Sequence, residues 1–163
     1  MAVLASAALG IFAAESQIPP ILPVPGVKLG LANIITLVTM CILGKKEAAG
    51  VLAVRVLLGC LFAGSVSSLM FSAAGGAAAY AVMALTVGVF SGKYLWICAV
   101  LGALAHNAAQ IAVAVAVTGT EHIIYYALIL IPAAIITGAF TGVVSVYIIK
   151  GLDKYTDSKK GGR

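Results

Sequence analysis

Three hydrogen-bonding side chains lie within about one helical turn in the middle of the apolar segment 95–118. They are His106, Asn107 and Gln110. A helix of about twenty apolar residues matches the hydrocarbon thickness of a bilayer, where such groups are costly unless they find partners. Because residues three and four apart share one helix face, the three side chains form a joint array of donors and acceptors. The array predicts either a ligand site or a hydrogen-bond network between helices.

Further polar residues are expected in the same half of the membrane. Asn33 and Thr36 lie three apart in a second apolar segment, and Lys28 precedes them. Glu15 and Gln17 begin the Pro-rich stretch that leads to this segment. We predict one pocket that opens to the outside, with charge at its mouth and amide and imidazole groups inside. Its predicted substrate contacts are Glu15, Gln17, Lys28, Asn33, His106, Asn107 and Gln110.

The chemistry of an independent enzyme is missing from the sequence. There is no Gly-rich loop with a Lys-Ser or Lys-Thr ending for ATP. The only aspartates, Asp153 and Asp157, lie in the polar tail, so no carboxylate pair in the spans could hold magnesium on a diphosphate. The three cysteines are isolated in apolar runs, without the spacing of metal or redox motifs. We therefore expect no enzymatic activity, no metal and no cofactor.

The composition is that of an integral membrane protein. Of 163 residues, 63% are hydrophobic and 9% are charged, and the mean hydropathy is +1.15. The sequence predicts an all-α, polytopic bundle of six transmembrane helices over residues 1–150, followed by a basic cytoplasmic tail over 151–163. A neutral turn at residues 73–76 is expected between spans three and four. The predicted spans are 2–14, 30–43, 50–73, 76–91, 95–118 and 124–149.

The lysines predict the orientation of the spans. Lys45 and Lys46 follow the second span, Lys93 follows the fourth, and the basic tail follows the sixth. By the positive-inside rule, we predict that both termini are cytoplasmic and that the Pro-rich loop lies outside. We expect the membrane to be the plasma membrane. The net charge of +5 then requires no nucleic acid, since tail residues beside anionic lipids account for it. Arg55 is expected to snorkel to the head groups, the alternative being a contact with an anionic ligand or a cytoplasmic partner.

Two further features bear on how such a bundle would work. Residues 16–27 hold four of the five prolines, which stop helix propagation, and predict a lid folded over the bundle or an interfacial linker. Small residues recur at every fourth position in the first span and again in the sixth, which predicts either the docking of a membrane partner or internal packing. The two stripes are Ala2, Ser6, Gly10 and Ala14, and Ala134, Gly138 and Gly142.

Three stretches resemble one family. Residues 25–33, 55–59 and 105–110 are similar to those of the Gx transporter family, also labelled heptaprenyl diphosphate synthase component I. That family is similar to the substrate-binding S components of energy-coupling factor transporters. The resemblance implies six helices, an extracellular pocket capped by the loop after helix one, and a small-residue face on helix one that docks the transmembrane coupling subunit. Ser6 and Gly10 occupy central places where S components often have alanine.

The expected function follows from the residues and the resemblance together. We expect a membrane-embedded subunit that binds a vitamin-, flavin- or quinone-like molecule from outside and works with a coupling subunit and separate ATPase subunits. A first alternative is a non-catalytic accessory subunit of isoprenoid or quinone metabolism that binds a lipid or prenyl group. A second alternative is a scaffold without a ligand.

Overall fold

The computed structural model describes residues 2–17, 31–63 and 66–161, with side chains described except at residues 16, 60, 62 and 63 and from 155 onward. Within these ranges the chain is helical and contains no strand, which confirms the predicted all-α class. Short 3-10 turns, Gly92–Tyr94 and Glu121–Tyr126, precede the last two α-helices. The α-helices are α1 (Ala2–Ser16), α2 (Asn33–Ile42), α3 (Lys45–Ala63), α4 (Val66–Thr86), α5 (Leu95–Thr118) and α6 (Ala127–Gly161).

Three segments are long and apolar enough to cross a membrane. They are Val66–Thr86, Gly92–Thr118 and Glu121–Lys154, which contain α4, α5 and most of α6. α5 packs between α4 and α6. Large apolar side chains such as Leu85 and Leu128 face away from the bundle, as expected of helices that contact lipid. The chain is therefore a helical membrane protein.

α2 is a short helix at the centre of the bundle. Its first eight residues, 33–40, are all buried, and it contacts α1, α3, α4 and α6. Its 10 residues extend over roughly 15 Å, about half the thickness of the hydrocarbon core. A helix that is buried on every side is expected to be apolar all round, so the polar Asn33, Thr36 and Thr39 need partners inside the protein.

The number of helices agrees with the prediction, whereas complete crossing by all six remains a prediction. α1 has 15 residues and α2 has 10, which is short for a span. α3 has 19 residues and carries four charged side chains, at positions 45, 46, 47 and 55.

The predicted boundary between the third and fourth helices is wrong. α3 ends at Ala63 and α4 begins at Val66, so the connection lies about ten residues before the expected turn at 73–76. Residues 73–76 lie inside α4, where Gly75 and Gly76 face other helices. A glycine pair often marks a turn, but in a membrane helix it can instead permit close packing of neighbouring helices. Gly75 and Gly76 have this packing role.

The two small-residue stripes have different surroundings. On α6, Ala134 is buried, and a Cβ atom at Gly138 or Gly142 would collide with the α5 backbone at Val100 or Trp96. That stripe is an internal packing face, as one of the two interpretations predicts. On α1, by contrast, Ala2, Ser6, Gly10 and Ala14 are all exposed. A Cβ at Gly10 would meet nothing within 4 Å.

The lysines gather at one end of the bundle, which we call the basic end. Lys45 and Lys46 begin α3, Lys93 lies between α4 and α5, and Lys150 lies in the later part of α6. Gly44, with a φ of 116°, makes the turn from α2 into α3 at this end. α6 continues to Gly161, so the predicted tail begins as an extension of the last helix.

Candidate functional site

Asn33 links three helices through its side-chain amide. Its Oδ1 accepts a hydrogen bond from Arg55 Nη1 at 3.4 Å, and its Nδ2 lies 3.4 Å from His106 Nδ1. Arg55 is 3% exposed and His106 is 4% exposed, so both contacts are inside the protein. Both distances are long for hydrogen bonds, which indicates a loosely held network. When Asn33 donates to Nδ1, the neutral His106 ring carries its proton on Nε2.

Several buried polar atoms on the helices of this network have no hydrogen-bond partner of good geometry among the described residues. They are Arg55 Nε, His106 Nε2 and Thr36 Oγ1. The His106 ring lies against Gly75 and interacts with its backbone, but Nε2 forms no hydrogen bond of good geometry. Two of the three atoms are donors that point into a buried environment, where a missing acceptor costs free energy.

Glu15 and Gln110 complete the cluster towards the end opposite the lysines. Glu15 is 5% exposed and interacts electrostatically with Arg55. Gln110 lies one turn beyond His106 on α5 and is fully buried. A cleft between these side chains has about 10 Å³ of space for the centre of a water molecule, which is room for about one water. The cleft is lined by Phe12, Glu15, Ala32, Arg55, Ser72, His106 and Gln110.

Two glycines on α4 allow the polar side chains to lie against its backbone. A Cβ at Gly75 would be 2.7 Å from His106 Cε1, and a Cβ at Gly76 would be 3.0 Å from Arg55 Nη2. Any side chain at these positions would push the imidazole or the guanidinium out of place. The glycine pair is therefore part of the site, although the sequence pattern suggested a turn.

Arg55 corrects a prediction. The sequence predicts that its side chain snorkels to the head groups, but the side chain is buried and bonded to Asn33. The reason is the earlier start of α3, because Arg55 lies ten residues after Lys45, roughly 15 Å along the helix. At that depth, burial in the bundle replaces access to the membrane surface. The bond to Asn33 inside the protein was in neither interpretation, and a contact with an anionic ligand stays a prediction.

The other predicted contacts are distributed differently. Asn107 Nδ2 donates to the backbone carbonyl of Leu130 at 3.1 Å, so this amide ties α5 to α6 and does not line the cleft. Gln17 is exposed. Lys28 and residues 18–27 of the predicted lid lie outside the described residues. The structure therefore brings together Glu15, Asn33, His106 and Gln110.

Arg55 and Ser72 are residues of the site that the sequence prediction did not include. Arg55 was recognisable as a charge inside an apolar run, and such residues usually face the interior of a bundle. Nothing in the sequence marks Ser72 as a residue of the site. A serine in a membrane helix is common, and the direction of its side chain depends on the packing of α4. In the described part of the chain, no three His, Cys, Asp or Glu side chains are grouped as a metal site would need.

The chain was compared with known proteins and protein families, and one family match includes this site. No curated protein and no solved structure matches the chain. A family model described as heptaprenyl diphosphate synthase component I matches residues 4–148, which include every residue of the cleft. Since the match extends over most of the sequence, the chain belongs to the heptaprenyl diphosphate synthase component I family.

Proposed function

We propose that this chain is the substrate-binding membrane subunit of an energy-coupling-factor-type transporter and takes up a small molecule from the outer side. The observation that supports this function best is the buried polar cluster around Asn33. It places a guanidinium, an imidazole and two amides at membrane depth, where polar side chains are rare and usually functional.

The spare donors indicate what kind of group would bind. Arg55 Nε and His106 Nε2 are both buried donors that form no hydrogen bond of good geometry among the described residues. A network with a purely structural role would be expected to satisfy such donors. The matching ligand offers carbonyl or carboxylate oxygens, which vitamins, flavins and quinones all carry. Such a group would replace the single water that fits the cleft.

A ligand of that size requires the cleft to widen. α1 carries Phe12 and Glu15 to the cleft and packs mainly against α2 and α3. We infer that the ligand is admitted by an outward movement of α1. The Phe12 ring lies against Gly59 and would return to this contact when α1 closes over the ligand.

The exposed stripe on α1 supports coupling to a second membrane protein. Its four small residues leave a flat face with no described side chain packed on it. Flat faces of this kind associate by close backbone approach in lipid. We propose that a transmembrane coupling subunit docks there and that separate ATPase subunits supply the energy. The protein would lie in the plasma membrane with both termini and the basic end in the cytoplasm.

A second function has one observation in its favour, the description of the family itself. A component of heptaprenyl diphosphate synthase could be a non-catalytic membrane subunit that holds a lipid or prenyl group. The chain would then supply binding while a separate subunit supplies the carboxylates for magnesium and catalysis. It would not require ATP or a coupling subunit.

Transport into membrane vesicles separates the two functions. The chain is reconstituted with and without an ATPase module, and the uptake of a co-purified small molecule is followed. ATP-dependent accumulation that disappears in Asn33→Leu supports the transporter. Binding without ATP-dependent accumulation contradicts it and favours the accessory subunit.

A further inference from the structure

A second and larger pocket lies at the basic end, on the opposite side of the bundle from the polar cleft. It is an open groove of about 440 Å³, bordered by the end of α2, the connection between α4 and α5, and the later part of α6. This volume is within the range of roughly 300–1,000 Å³ typical of small-molecule sites. None of its lining residues belongs to the polar cleft.

The interior of this pocket is apolar. Met40 from α2, Leu95 from α5, and Val146 and Ile149 from α6 line it. Met40 and Leu95 are buried in the adjoining core, so these walls are held in place by the packing of the bundle. An aliphatic chain that covered these walls would be bound favourably, because apolar surface would be removed from water.

The rim of the pocket is positively charged. Lys93 and Lys150 are both exposed there, and Asp153 is the one acidic residue among the described lining residues. Two lysines and one aspartate give a local charge of +1. Within the described residues neither lysine forms an ion pair, and Lys93 Nζ lies 4.9 Å from the centre of the Tyr94 ring. Both ammonium groups are therefore available to an anionic ligand.

We propose that this pocket binds a membrane lipid with a phosphate head group. Lys93 and Lys150 contact the phosphate, and the first part of the aliphatic chain covers Met40, Val146 and Ile149. A free inorganic anion would leave the apolar walls in water, and a neutral lipid would leave the lysines unused. The position of the pocket at the lysine-rich end of the helices places it beside a leaflet that can supply such a lipid. The inference is independent of the proposed transport function.

Binding of short-chain lipids to the full chain in detergent tests the proposal. Native mass spectrometry would compare dioctanoyl phosphatidic acid, farnesyl diphosphate, dioctanoylglycerol and inorganic phosphate as probes. We expect both phosphate-bearing amphiphiles to bind at least tenfold more tightly than the other two, and the tighter of them indicates the source of the natural lipid. Equal binding of dioctanoylglycerol, or binding of inorganic phosphate as tight as that of the amphiphiles, would overturn the proposal.

Charge variants distinguish the pocket from general attraction to a basic surface. K93Q and K150Q should each weaken binding of phosphatidic acid about tenfold, the loss expected for one charge-assisted contact. K46Q is the matched control, because it removes the same charge at the same end but lies outside the pocket lining. If all three variants weaken binding equally, the lipid is held by diffuse surface charge and the pocket is not a site.

A variant that fills the pocket tests its apolar part without changing the charge. Gly88 lines the pocket, its φ is not positive, and a Cβ built there meets nothing within 4 Å. Gly88→Leu should therefore fold normally, which the unfolding temperature checks, and abolish phosphatidic acid binding. Unchanged binding in a stable Gly88→Leu protein would contradict the proposed position of the chain.

Discussion

Arg55 Nη1 donates to Asn33 Oδ1 across 3.4 Å, and this contact joins α3 to the buried helix α2. The guanidinium also interacts with the Glu15 carboxylate of α1. A buried positive charge thus holds together three helices at the edge of the polar cleft. The arrangement combines a structural contact with a charge that a ligand could use.

Removal of the Arg55 charge should destabilise the bundle. Arg55→Met leaves Glu15 buried without the opposing charge, which costs about 3–5 kcal/mol when one member of a buried pair is lost. Chemical unfolding in detergent measures the change in free energy. The double variant Arg55→Met/Glu15→Gln should recover much of the loss, since no uncompensated charge remains. Lys46→Gln, at an exposed position, is the control, and a loss no larger than in this control would refute the pairing.

Gly75 should be intolerant of even one methyl group. A Cβ there would lie 2.7 Å from His106 Cε1, so Gly75→Ala should lower the free energy of unfolding by about 1–3 kcal/mol through overpacking. Gly10→Ala is the matched control in a second helix, where the Cβ meets nothing within 4 Å. Because alanine favours helix over glycine, the control should be neutral or stabilising by up to about 1 kcal/mol. Equal effects at the two positions would contradict the close contact.

The sequence and the structure agree best for α5. Its predicted limits, 95–118, are those observed, because a long apolar run ends at Gly119, whose left-handed φ of 65° stops the helix. His106 and Gln110 are buried on this helix as expected of polar groups at membrane depth.

The failures have a common physical cause. A glycine pair marks either a turn or a close helix contact, and only the packing of α3 and α5 against Gly75 and Gly76 decides between them. Because of this misplaced turn, the predicted start of α3, residue 50, also comes later than the observed start at Lys45. The prediction therefore places Arg55 too close to the membrane surface. The direction of Asn107 also depends on a neighbour, since the carbonyl to which it donates belongs to Leu130 on α6.

Asn107 and Gln110 should have separable effects. Asn107→Leu removes a bond between α5 and α6 and should cost about 1–2 kcal/mol of stability with little effect on ligand affinity. Gln110→Leu alters the lining of the cleft and should weaken ligand binding about tenfold or more. Unfolding and binding are measured on the same two preparations. Loss of affinity in Asn107→Leu alone would reverse the assignment of the two amides.

The two small-residue stripes predict opposite phenotypes for the same substitution. Gly10→Leu should leave the isolated protein folded and abolish co-purification with a coupling subunit, as should Ser6→Leu. Gly138→Leu should prevent folding, because even a Cβ there collides with the α5 backbone. Pull-down from membranes and gel filtration report the two outcomes. Intact co-purification with Gly10→Leu would remove the proposed docking face.

Native mass spectrometry of the detergent-purified protein would show whether the polar cleft holds a substrate. We predict that a small molecule rich in carbonyl or carboxylate oxygens co-purifies with the wild-type chain and is lost from Asn33→Leu. The same molecule should be retained by Lys46→Gln, which does not touch the cleft. A wild-type protein that carries no ligand after growth in rich medium, or a ligand retained in full by a folded Asn33→Leu variant, would contradict a substrate site at the polar cleft.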